Sequence, residues 1–134
     1  MRDVRLRKAL LIADALFLLA ASTGGMIADL AGTFAGVGPQ KDVLGSAPYA
    51  AIGFVEAHGL AFIMGVLLWR AEPVRAWHLT AAAVHALLGT SNLVFWQIFI
   101  VSGMLAMGWI TTTLHWLLVA LQLAAAATYS RRGS

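Results

Sequence analysis

The placement of the charges limits this chain more than any other feature. With Asp14 and Glu56 set aside, charged residues fall at the ends and in two short connections, leaving four long apolar runs. Each run approaches the ~20 residues that a helix needs to cross a bilayer. At 134 residues, 60% apolar and 11% charged, the chain has too much apolar surface for a soluble core of this size. The expectation is an all-α polytopic membrane protein, a single domain over residues 1–134 built as a four-transmembrane-helix bundle.

The spans are placed at about residues 9–28, 48–69, 77–101 and 109–129. Basic residues precede the first span, and a glycine-rich stretch from Gly24 to Gly38 follows it. Its outline also resembles a cleavable leader, but Asp14 inside the apolar run fits that poorly, so a retained helix is expected. The second span follows Pro48 and ends on Trp69 and Arg70, an aromatic and a cation suited to the headgroup boundary. Pro73 is expected in the first turn of the third helix, with Arg70 to Arg75 closing an antiparallel hairpin. Ser102 to Gly108 is read as an outer turn, and Gly32 to Ala47 as an outer loop or cap.

Arg2, Arg5, Arg7, Lys8, Arg70, Arg75, Arg131 and Arg132 would share one side, with Lys41 alone on the other. This asymmetry places both termini in the cytoplasm of a multi-pass cell-membrane protein. It also explains the pI near 10 without a nucleic-acid partner. Cysteine is absent, which excludes disulfides, thiolate chemistry and cysteine-bound metals.

Function must then lie with the polar residues inside the spans. Depths counted along the helices put Glu56, His58, His85 and His115 in a deep layer, and Asp14, His78 and Gln122 in a shallower one. His78, His85 and Asn92 recur every seven residues, with Trp96 four further on, and make one polar stripe on the third helix. Thr111, His115 and Gln122 make a second on the fourth, and the two stripes can face each other. Glu56 and His58, two residues apart, point in nearly opposite directions. Whichever points outward must face a neighbouring helix or a second subunit, so a homodimer joins the bilayer among the expected partners.

The leading expectation is acid–base chemistry of isomerase or mutase type on a lipophilic small molecule that enters from the lipid. Glu56 or His85 would be the base, His115 or His58 the acid, and Asn92 or Thr111 would orient the substrate. A second reading has haem b held between His58 and His115 as axial ligands. A third joins Glu56, His85 and His115 around zinc or iron, but no compact ligand motif supports it, so neither a metal nor a cofactor is assigned. A non-enzymatic carrier or accessory subunit, with Glu56 exchanging protons, is the remaining class. Against all of these stands the ordinary role of a membrane histidine, a hydrogen bond to the next helix. Trp69, Trp77 and Trp109 are expected as interfacial anchors, Trp96 as a pocket wall, and Gly32 with Gly36 as a weak dimerisation motif.

Overall fold

A computed structural model describes residues 2–130; Met1 and residues 131–134, including Arg131 and Arg132, lie outside the described residues. The described residues are helical without strands, in the order α1 (Arg2–Leu30), α2 (Lys41–Ser46), α3 (Ala51–Arg70), α4 (Arg75–Val94), α5 (Gln97–Val101) and α6 (Leu105–Ser130). Three stretches, Asp3–Ala35, Pro48–Arg70 and Leu105–Thr128, are long and apolar enough to cross a membrane. Helix α4 matches α3 in length at 20 residues, but its polar stripe lowers its mean hydropathy.

The first helix is longer than its apolar run suggests. It starts at Arg2 and continues past Leu30 as a π-helical turn, Ala31–Ala35, until Gly36 takes the left-handed conformation at φ 63°. Thr33 Oγ1 donates to the Asp29 carbonyl at 2.7 Å within this widened turn. Gly32 lies against the backbone of Gln40 and Lys41, where a Cβ would come within 3.1 Å. The two glycines expected to mark a dimer face therefore end a helix and seat the following segment. That segment contains α2, whose Leu44 is fully buried.

Helix α3 runs antiparallel to α1. Lys8 Nζ donates to the carbonyls of Trp69 at 2.9 Å and Ala71 at 2.7 Å, so a cation closes the C-terminal end of α3. Further along, Gly65 admits Leu19 and the Ala15 carbonyl so closely that a Cβ would meet the Leu19 Cγ at 2.9 Å. The connection to α4 is short, as expected, but Pro73 precedes Val74, the N-cap of α4, instead of entering the first turn.

The third run is not one helix. The ladder breaks at Phe95 and Trp96, where the amides of Ile98 and Phe99 bond three residues back, and α5 follows as a separate piece. Trp96 thereby turns onto Trp109 (ring centroids 4.7 Å) and Phe99 (5.4 Å), an aromatic cap over the α5–α6 turn. Gly103 supplies the positive φ of 66° for that turn, and α6 starts at Leu105, earlier than the span read from the sequence.

The interior holds a small apolar cluster of Leu11, Ala15, Leu18, Leu68, Ala71 and Ala81. Beside it Asp14, His78, His85 and Gln122 are fully buried, while Leu16, Ile27, Ile52, Ile63, Leu87 and Leu117 stay at least half exposed. Polar groups inside and large apolar groups outside invert the pattern of a water-soluble bundle.

Candidate functional site

Five buried polar side chains form one connected chain across three helices. Asp14 on α1 receives two donors: His85 Nε2 lies 2.7 Å from Oδ1, and Gln122 Nε2 donates to Oδ2. Gln122 Oε1 lies 2.6 Å from His78 Nδ1, and His85 Nδ1 lies 2.8 Å from His115 Nδ1. The order is therefore His115, His85, Asp14, Gln122, His78. Phe17 packs against both imidazoles of the upper pair, at 6.0 Å from His85 and edge-on at 5.4 Å from His115.

These partners set the tautomers. An ionised Asp14 offers only acceptors, so His85 carries its proton on Nε2 and presents a bare Nδ1. His115 must then donate from Nδ1, which leaves its Nε2 as a free acceptor. On the other arm Gln122 gives its amide to Asp14 and accepts at its carbonyl, so His78 donates from Nδ1. His78 Nε2 is enclosed without a partner, whereas His115 keeps 8% of its surface exposed. Only the His115 end of the chain meets the outside of the bundle.

Asp14 links the two layers expected from the sequence, bonding to His85 of the deeper one and to Gln122 of the shallower one. Helix α1 begins seven residues before the predicted start at residue 9, about 10 Å of rise, and this brings Asp14 within reach of His85. Asp14 and His78 do not pair directly; Gln122 stands between them. The stripes on α4 and α6 do face each other, and Asn92 donates to Thr111 at 3.3 Å at their outer end. Trp96, expected as a pocket wall on the His85 stripe, packs in the aromatic cap with Phe99 and Trp109.

The other proposed site residues lie elsewhere. Glu56 is exposed on α3, and among the described residues nothing bonds to it. His58 lies between α3 and α1, its Nδ1 at 2.6 Å from Oδ2 of Asp29, a residue the sequence reading passed over. Asp29 is fully buried, and its second oxygen has no donor. Gly25 leaves room for the imidazole, because any Cβ there would overlap its ring. His58 bonds to α1 and His115 to α4, so the structure does not join them as a ligand pair. Among the described residues no group of three or more acidic or histidine side chains is placed to hold a metal ion.

Two grooves, of about 770 and 460 Å³, lie on the outside of α1, and neither is lined by a residue of the chain from His115 to His78. Comparison with known protein families, characterised proteins and solved structures gives no match.

Proposed function

We propose that this chain is a four-span membrane protein with both termini in the cytoplasm, and that Asp14, His85 and His115 form its acid–base site. The site exchanges a proton with a lipophilic small molecule, in chemistry of isomerase or mutase type. His115 Nε2 is the group that meets the substrate. When it takes a proton, the Nδ1 proton of His115 passes to Nδ1 of His85, and the hydrogen bond between the rings reverses. The positive charge then rests on His85 beside the Asp14 carboxylate, so the site gains a proton without an unpaired buried charge. Delivery of the proton at another position of the substrate runs the same steps backwards.

One observation carries this reading: the donor–acceptor order from Asp14 through His85 to His115 ends on an imidazole edge that is not enclosed. Asn92 and Thr111 lie one turn outward of His115, about 6 Å along α6, where they would orient a polar group of the substrate. Gln122 joins His78 to Asp14 but does not pass protons readily, so the His78 arm holds the carboxylate in place. Up–down helices and the inverted burial pattern support the four spans, with the polar stripe of α4 turned inward.

The test is solvent deuterium incorporation into a panel of lipophilic compounds, added to the protein in bilayer nanodiscs made up in heavy water. Incorporation that disappears in His115→Phe and persists in His58→Phe is the expected result. Incorporation that survives His115→Phe would refute the assignment.

A further inference from the structure

The larger groove has a chemistry of its own. It runs along the outer side of α1, opposite the buried stripe, from the start of the helix past the α3–α4 connection. Its mouth carries Arg5, Lys8 and Arg70 against one carboxylate, Glu72, an excess of two positive charges. Lys8 is held by the two carbonyls at the end of α3, but Arg5 and Arg70 are exposed, and among the described residues neither guanidinium has a partner. Below the mouth the wall is apolar, formed chiefly by Ala9, Ile12 and Leu16.

We infer that this groove seats one anionic phospholipid, with its phosphate on Arg5 and Arg70 and an acyl chain lying along Ala9, Ile12 and Leu16. The inference rests on the membrane placement proposed above, but not on the acid–base site. Two dimensions agree with it. From Arg5 to Leu16 the helix rises about 16 Å, close to the depth of one leaflet of a ~30 Å hydrocarbon core. The cationic mouth stands at the end where the basic residues gather, which is the anionic surface of a cytoplasmic leaflet. The smaller groove at the same height is an internal contrast: its lining carries one carboxylate, Asp3, and one cation, Arg7, and so has no excess charge. Small residues open the channel, since Ala9 and Ala13 follow each other at one turn on the groove face.

The experiment is native mass spectrometry of the full chain released from detergent micelles containing equal amounts of dioleoyl phosphatidylglycerol and dioleoyl phosphatidylcholine. Retention of one phosphatidylglycerol per chain is expected. The double variant Arg5→Ala/Arg70→Ala should lose about thirtyfold of that preference, as two surface cations are each worth roughly fivefold to sixfold. Arg75→Ala removes the same kind of charge from the same end but outside the groove, and should leave retention intact. An equal loss in Arg75→Ala would mean diffuse attraction and overturn the seat. So would a lipid-free dimer, in which a second copy covers the groove. Extraction with alkaline carbonate separates the two levels: a chain that stays with the membrane but shows no lipid preference fails only the lipid inference, whereas a chain that leaves the membrane fails the membrane placement itself.

Discussion

His85 Nδ1 lies 2.8 Å from His115 Nδ1, and two imidazole nitrogens at that distance share a single proton. Which ring holds it is decided on the far side of His85, where Asp14 takes the Nε2 proton. The prediction follows for nitrogen-15 NMR of histidine-labelled protein in bilayers. His85 should appear as the Nε2–H tautomer and His115 as the Nδ1–H tautomer at neutral pH. Asp14→Leu should remove this preference for His85, because nothing then fixes its proton. His115 as the Nε2–H tautomer would reverse the proposed chain.

Asp14 and Gln122 should differ sharply in what their loss costs. Gln122→Leu removes one interhelical bond to His78 and one to the Asp14 carboxylate, contacts of a kind worth about 1 kcal/mol each in membrane bundles. Asp14→Leu leaves a buried His85 donor without its acceptor and breaks the link between α1 and the α4–α6 pair, a loss of about 3 kcal/mol. Thermal unfolding in one detergent should therefore rank the variants wild type, Gln122→Leu, Asp14→Leu. Equal melting temperatures for the two variants would show that Asp14 carries no charge-linked stability.

The position of Gly25 makes a separate test of the α1–α3 seam. A methyl group there overlaps the His58 ring, so Gly25→Ala must displace the imidazole and break its bond to Asp29. Overpacking of this kind costs about 1–3 kcal/mol. In a His58→Ala background the same substitution no longer meets the ring and should be nearly neutral, a coupling that a double-mutant cycle reads directly. Additive effects in that cycle would show that the ring does not occupy the space beside Gly25.

Much of this arrangement was legible in the sequence, and the failures have physical causes. Seven-residue spacing placed His78 with His85 and His115 with Gln122, and those faces do meet, because the period of a helix survives any error in its ends. Depth did not survive. Placing the start of α1 at residue 9, where apolarity begins, ignored that a charged turn continues the helix outward, and so separated Asp14 from His85. Asp29 was missed for a related reason: the first span was ended at residue 28 within a glycine-rich stretch, whereas α1 continues to Leu30 and Gly25 serves close packing inside it. Neither the break at Phe95 nor the aromatic cap of Trp96 left a glycine or proline signal in the run.

Topology can be read chemically, because the chain has no cysteine of its own. Single cysteines at Lys41, Glu72 and Asp42 should divide by side when intact cells are treated with a membrane-impermeant maleimide. Lys41→Cys and Asp42→Cys, next to and within α2, should react from outside, and Glu72→Cys only after the cells are opened. Reaction of Glu72→Cys from outside, with Lys41→Cys and Asp42→Cys protected, would invert the proposed orientation and place both termini outside.

Glu56 gives the sharpest difference between sequence and structure. By sequence it is a candidate for the general base alongside His85, a carboxyl in the middle of an apolar run. In the structure it sits on the exposed face of α3, the helix that packs on α1, with no partner among the described residues. Glu56→Gln should therefore leave both the tautomers of His85 and His115 and the deuterium incorporation unchanged. Asp14→Asn should abolish the incorporation, because an amide cannot balance the charge that reaches His85. Glu56→Leu should also leave the melting temperature at or above that of the wild type, since it exchanges a carboxyl in an apolar surface for a side chain that suits it. If Glu56→Gln silences deuterium exchange while the Asp14 variant retains it, the reacting proton lies on α3, and the buried chain from His115 to His78 is a structural fastening between helices.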